Sequence, residues 1–97
     1  MKYNLIRGTK ILGIITHDVD DFPWHRGTFQ ATEDFEDVKQ LFEEELELIE
    51  LNDLNSDKWD NIWSEIKKPG LHLVALEQNK VINTFLIHIN GKEAWWR

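Results

Sequence analysis

The middle of the chain decides the fold class: residues 33–50 read EDFEDVKQLFEEELELIE and residues 57–68 read DKWDNIWSEIKK. In each segment the apolar residues recur at mostly three- and four-residue spacing, which is typical of a helix with one apolar stripe. The first stripe is Phe35, Val38, Leu41, Phe42, Leu46 and Ile49, and the second is Trp59, Ile62, Trp63 and Ile66. The centre of the chain is therefore predicted to form two consecutive amphipathic helices.

Capping residues predict where these helices begin and end. Thr32 is the expected N-cap of the first helix, which should run from Glu33 to Glu50 and then fray into a turn over residues 51–53. Asn55, Ser56 or Asp57 should cap the second helix. Pro69-Gly70 should end it, because proline cannot continue a helix and glycine readily closes one.

Strand-like segments flank the helices on both sides. Three precede them and three follow, at Tyr3–Ile6, Lys10–Thr16, Trp24–Gln30, Leu71–Leu76, Val81–Ile89 and Ala94–Trp96. Val81–Ile89 is apolar on both faces, which predicts a central strand, and Asn90-Gly91 is a strong hairpin signal. The order β-β-β-α-α-β-β-β predicts one α+β domain over residues 1–97, with a mostly antiparallel sheet and both helices on one face.

Composition excludes several classes of function. The formal charge of −7 and the isoelectric point near 4.9 argue against binding to nucleic acid or anionic membranes, both of which need clustered basic residues. The absence of cysteine removes disulfides and thiolate metal sites and fits a reducing compartment. No signal peptide is recognised, and the apolar run at residues 11–15 is too short to span a bilayer. We expect a soluble cytoplasmic protein of bacterial type, a monomer or weak homodimer, with no cofactor.

Residues 17–27, HDVDDFPWHRG, concentrate ligand-type side chains in one short segment. Its spacing fails the calcium-loop pattern, because a proline falls where that loop needs glycine. We expect a surface loop whose aspartates cap turns, with Phe22 and Trp24 anchoring it to the core. A divalent metal site is the alternative. The predicted binding residues are His17, Asp18, Asp20, Asp21, Trp24, His25 and Arg26, with no metal ligand assigned among them.

Two further features are candidates for partner binding. Residues 33–50 carry nine of the 18 acidic residues against one basic residue, Lys39, so this helix is either a solvated face or a surface that attracts a basic partner. Trp95 and Trp96 are adjacent in a strand and must point to opposite faces. One of them is therefore either an interface anchor beside Trp24, or it is covered by a neighbouring strand or by the Asp-rich loop.

Catalysis has little support in the sequence. The only serines, Ser56 and Ser64, lie at a predicted helix cap and on a helix, and no nucleophile motif surrounds either. His72 and His88 are predicted to be hydrogen-bonded residues of the sheet. No catalytic residue is assigned, and the balance favours a protein that is not an enzyme.

Four short segments resemble small bacterial single-domain proteins of uncharacterised function. They are Gly13-Ile14-Ile15, Asp21-Phe22-Pro23-Trp24, Gly27-Thr28-Phe29 and Ala94-Trp95-Trp96-Arg97. The resemblance spans nearly the whole chain, but it implies no activity and no functional residue.

These observations favour a non-enzymatic binding or protein-interaction module that uses residues 17–27 and the acidic helix. One concrete form is an immunity-like or antitoxin-like protein that masks a basic partner. The alternative is a small metal-dependent protein or enzyme built on the acidic segment, with His17, Asp18, Asp20, Asp21 and His25 as its residues.

Overall fold

The computed structural model describes residues 1–51 and 57–97. The strands are β1 (Lys2–Arg7), β2 (Lys10–Asp21), β3 (Trp24–Ala31), β4 (Leu71–Ala75), β5 (Lys80–Ile82), β6 (Ile87–Asn90) and β7 (Glu93–Trp96), and the α-helices are α1 (Lys39–Glu50) and α2 (Asp57–Lys67). The predicted turn at residues 52–53 and the caps Asn55 and Ser56 lie outside the described residues. Helix α2 begins at Asp57, so Asp57 lies in its first turn.

All described strands belong to one antiparallel sheet in the order β5-β4-β1-β2-β3-β7-β6. Strands that precede the helices pair with strands that follow them at two places in the sheet: β1 pairs with β4, and β3 pairs with β7. The predicted α+β class and the antiparallel sheet are confirmed. The pairing order was not readable from the sequence, because it depends on contacts between residues far apart in the chain.

The sheet is strongly curved. Strands β1 and β7 are separated by β2 and β3, which in a flat sheet would place them about 14 Å apart. The rings of Tyr3 on β1 and Trp96 on β7 nevertheless lie only 5.7 Å apart, edge to face. These two side chains therefore meet on a concave side, the inner face, and the opposite side is the outer face.

The hydrophobic core lies between the inner face and the helices. Leu5, Ile15 and Phe29 come from the three central strands and are at most 3% exposed. Phe42 of α1 and Ile66 of α2 belong to the same buried cluster. Both helices therefore bury their apolar stripes against this face, as predicted.

The first predicted helix is interrupted. Residues Glu33–Asp37 form a 3₁₀ helix, and α1 begins only after Val38, whose backbone is not helical. Thr32 is the N-cap of this 3₁₀ helix, as predicted, but its hydroxyl donates to the carbonyl of Ile11 and makes no capping hydrogen bond. Val38 and Phe35 are both buried, so packing against the sheet sets this bend.

The prediction of one central strand over Val81–Ile89 is wrong. This segment forms two short strands at opposite edges of the sheet, β5 and β6, with residues 83–86 between them. The burial of β6 on both of its faces has a different cause. Helix α1 packs along β6, so Ile87, His88 and Ile89 are buried although they are consecutive and belong to both faces.

The predicted hairpin at the end of the chain is confirmed, since β6 pairs with β7 across residues 91 and 92. Gly91 alone takes a positive φ there, at 62°, where glycine has no steric penalty. None of the helices in the described ranges is long and apolar enough to cross a membrane.

Candidate functional site

The segment from His17 to Gly27 is a β-hairpin, so its prediction as a surface loop is wrong. Strand β2 continues through Asp21 and β3 begins at Trp24, with Phe22 and Pro23 as the only residues between them. The three aspartates of the segment are exposed. Phe22 does not anchor the segment to the core, because it lies at the tip and is 96% exposed.

A bulge at Asp18 changes which side chains share a face. The register passes from His17 opposite Gly27 to Val19 opposite Arg26, so Asp18 is one extra residue in β2. In a regular strand, residues three apart point to opposite faces. The extra residue shifts this alternation by one, as bulges do. His17 and Asp20 therefore point to the same face, and Asp20 lies directly opposite His25.

These three side chains form a hydrogen-bonded cluster. One carboxylate oxygen of Asp20, Oδ1, accepts from His17 Nε2 at 2.8 Å and from His25 Nδ1 at 2.6 Å. Both imidazole rings lie 5.8 Å from the ring of Trp96, which is 3% exposed and forms the floor of the cluster. The N–H of His25 and then that of His17 hold the pKa of Asp20 below its ordinary value, because both stabilise the carboxylate.

The cluster has the geometry of a potential metal centre. One ligand atom from each of His17, Asp20 and His25 lies within 4.8 Å of the other two. Two imidazole nitrogens and one carboxylate oxygen are a common ligand set for zinc and for other divalent transition metals. Three protein ligands leave a coordination position for water or a substrate.

The remaining predicted site residues point elsewhere. Asp21 and Arg26 form an exposed ion pair with Nε and Oδ2 3.4 Å apart, and the Arg26 guanidinium lies 5.7 Å from the centre of the Trp95 ring. Trp24 is half-buried, with its ring 5.2 Å from that of His88. The seven predicted residues are therefore divided between the two faces of the hairpin.

A second polar group lies inside the protein, between α1 and β6. Glu45 is fully buried and accepts two hydrogen bonds, from His88 Nδ1 to Oε1 and from Trp59 Nε1 to Oε2, each 2.7 Å long. An indole N–H can only donate, so the carboxylate is the acceptor. Among the described residues, no buried side-chain nitrogen or oxygen is without a partner.

A cleft of about 350 Å³ opens beside this pair, between outer-face residues at the β6 edge of the sheet and residues of both helices. Trp24, Ile49, Trp59 and Leu86 form its apolar walls, and its polar groups come from Asp60, His88 and Arg97. The guanidinium of Arg97 lies 4.7 Å from the centre of the Trp24 ring. Sequence reasoning placed Trp24 at a site but did not connect it with these residues.

Glu45 carried a signal that the sequence analysis did not use. It was counted with the acidic surface, although it lies three residues after Phe42 and four before Ile49, on the apolar stripe of α1. A carboxylate at a core position must be paired, because burying an unpaired charge is costly. That position predicts a buried partner, which the structure identifies as His88. The prediction that His88 is a hydrogen-bonded sheet residue is confirmed.

Comparisons with protein-family models, curated proteins and solved structures found no match to this chain. The resemblance of four segments to small bacterial proteins therefore stays a prediction.

Proposed function

We propose that the protein binds a divalent transition-metal ion through His17 Nε2, Asp20 Oδ1 and His25 Nδ1. The proposal rests on one observation, the convergence of these three atoms to within 4.8 Å on one face of the hairpin. Zinc holds imidazole nitrogen and carboxylate oxygen at about 2.0–2.2 Å. An ion bound between these atoms would replace the two imidazole protons that His17 and His25 share with Asp20 Oδ1.

The ligand set favours particular ions. Imidazole suits zinc, copper, nickel and iron, whereas calcium and magnesium prefer sites made of oxygen ligands. Binding must weaken as the pH falls, because the metal takes each imidazole nitrogen in its deprotonated form. The expected order of affinity is copper above zinc, zinc above manganese, and no measurable binding of calcium.

The first prediction concerns thermal stability. At a zinc concentration 100 times the dissociation constant, binding to the folded state adds about 2.7 kcal/mol. For a domain of this size that raises the melting temperature by about 10 °C or more. Excess chelator should reverse the shift, and calcium should produce none. Differential scanning calorimetry at neutral pH measures each of these effects.

Matched histidine variants separate the site from weak surface binding. His25→Ala should lose the zinc-induced shift, and His72→Ala should keep it, because His72 lies outside the cluster and hydrogen-bonds Asn83. Asp20→Asn, at an exposed position, should weaken the response without unfolding the protein. An equal shift in wild type and His25→Ala, or no shift with any divalent transition metal, would rule out the site.

A second candidate function is binding of a basic protein by the acidic surface of α1, which could take the immunity-like form. Glu43, Glu47 and Glu50 are exposed, and no lysine or arginine in the described ranges pairs with a glutamate of this helix. Such a surface steers an oppositely charged partner and raises its rate of association. This proposal is independent of the metal site.

The second prediction tests that steering. The triple variant Glu43→Gln, Glu44→Gln, Glu47→Gln should slow association with a purified basic partner several-fold at low salt and flatten its salt dependence. Stopped-flow measurements over a range of NaCl concentrations provide the rates. A control with Gln at Glu65, Glu77 and Glu93 changes the net charge equally but on other surfaces. If both triple variants behave alike, the α1 surface has no special role.

The cytoplasm is the proposed location, since a cysteine-free chain and an imidazole–carboxylate metal site both function in a reducing compartment. We further propose that the protein is a monomer or weak homodimer that does not bind nucleic acid, because its net charge is −7.

A further inference from the structure

The cleft beside Glu45 and His88 has the character of a small-molecule site. Its volume of about 350 Å³ lies within the range of ligand pockets, and its walls are mainly apolar and aromatic with a few polar groups. It is distinct from the proposed metal site, because His88 and Trp24 belong to the outer face of the sheet, whereas His17 and His25 belong to the inner face. Three observations identify the ligand chemistry.

The first concerns the second ring nitrogen of His88. Its Nδ1 bonds Glu45, and Nε2 has no hydrogen-bond partner among the described residues. His88 lines the cleft although the residue as a whole is only 4% exposed. Because Nδ1 bonds the Glu45 carboxylate, Nε2 is the ring nitrogen of His88 that a ligand in the cleft would meet.

The second observation is a positively charged group on the wall. Arg97 is exposed and is held by backbone hydrogen bonds to Leu86 in both directions, and its guanidinium stacks on Trp24. In the part of the chain that the structure describes, it forms no ion pair. A guanidinium fixed on an aromatic ring is well arranged to receive a carboxylate.

The third observation is the fixed orientation of an aromatic wall. The indole of Trp59 is held by its hydrogen bond to buried Glu45, so this ring is ordered before any ligand enters. A rigid wall lowers the entropic cost of binding. Flat apolar ligands fit such a surface, because aromatic rings stack with one another.

We propose that this cleft binds a small aromatic carboxylate that also carries a hydroxyl group. The carboxylate binds Arg97, the ring packs against the tryptophan walls, and the hydroxyl, which can donate or accept, hydrogen-bonds to Nε2 of His88. The proposal does not depend on the metal site.

The probes are benzoate, benzyl alcohol and benzylammonium, which share a ring and differ in charge. Titration calorimetry in chelator and 0.15 M NaCl should give a dissociation constant on the order of 1 mM for benzoate. This salt concentration screens the net charge of −7, which would otherwise oppose an anion. Benzyl alcohol and benzylammonium should bind more weakly than benzoate.

Removing either of two exposed charges on the cleft wall should change the affinity for benzoate, in opposite directions. Arg97→Ala should weaken benzoate binding about tenfold, the scale of one charge-assisted hydrogen bond. Asp60→Asn should tighten it about two- to threefold, because the carboxylate that repels the ligand is removed. Arg26→Ala is the matched control, since Arg26 stacks on Trp95 outside the cleft, and it should leave binding unchanged.

Hydroxybenzoates test the role of His88 without a variant that leaves Glu45 unpaired. One of the 2-, 3- and 4-hydroxy isomers should bind more tightly than benzoate and shift the ¹⁵N resonance of His88 Nε2. Any of four results overturns the proposal: no saturable benzoate binding, equal effects of Arg97→Ala and Arg26→Ala, preference for benzylammonium, or no isomer that moves the His88 resonance.

Discussion

Replacing Glu45 by alanine is expected to lower the free energy of unfolding by about 3–5 kcal/mol, as removal of one partner from a buried pair does. Glu45 is fully buried and accepts from both His88 and Trp59. Without it, both donors lose their partner in the interior and a cavity is left beside them. Urea denaturation of wild type and variant measures the difference.

Two further substitutions show whether burial and pairing cause this loss. Glu47→Ala, at an exposed position of the same helix, should change stability by no more than about 0.5 kcal/mol. Glu45→Gln should cost about 1–3 kcal/mol. The amide oxygen can replace one carboxylate oxygen, but the NH₂ group faces the other donor and cannot accept from it. If Glu45→Ala were no more damaging than Glu47→Ala, the buried network would contribute nothing to stability.

Gly27→Ala is expected to cost about 1–3 kcal/mol or more, the scale of overpacking a dense interior. Gly27 lies opposite His17 in the sheet, and an added Cβ would overlap the backbone carbonyl of Thr16. A side chain that clashes with backbone cannot be relieved by a rotamer change, so the two strands must separate. Thermal and urea unfolding should both show the loss.

The same substitution also tests the metal site. Moving the backbone at Thr16 and His17 displaces one proposed ligand, so Gly27→Ala should reduce the zinc-induced rise in melting temperature. Thr28→Ala is the matched control, since Thr28 is the next residue, exposed and on the other face. A folded Gly27→Ala protein with wild-type stability would contradict the close approach of β2 and β3.

The sequence predicted elements whose signals are local. The apolar stripes of the two helices, the end of α2 at Pro69-Gly70 and the hairpin at Gly91 all depend on residues a few positions apart. Trp95 and Trp96 were correctly expected on opposite faces, because strand alternation requires it. Trp96 is buried, and Trp95 is half-buried against His88 and Arg26.

The errors arose where distant packing overrides a local pattern. The apolar residues on both faces of Val81–Ile89 favoured a central strand. In the structure, β6 is an edge strand, and helix α1 buries its outer-face residue His88. Residues 17–27 looked like a loop because they are polar, whereas the long hairpin depends on pairing between β2 and β3. The helix that packs on β6 and the pairing of β2 with β3 cannot be predicted from the sequence of either segment alone.

By itself, the sequence determined the class of the fold, because helix and strand periodicities are properties of neighbouring residues. It also identified the segment that contains His17, Asp20 and His25. Only the tertiary structure decided that a bulge at Asp18 brings these three side chains together. Likewise, only the packing of α1 against β6 could join Glu45 to His88 across 43 positions of the chain. Both sites depend on strand register and helix packing. These are set by the packing free energy of residues throughout the core, so they cannot be predicted from neighbouring residues alone.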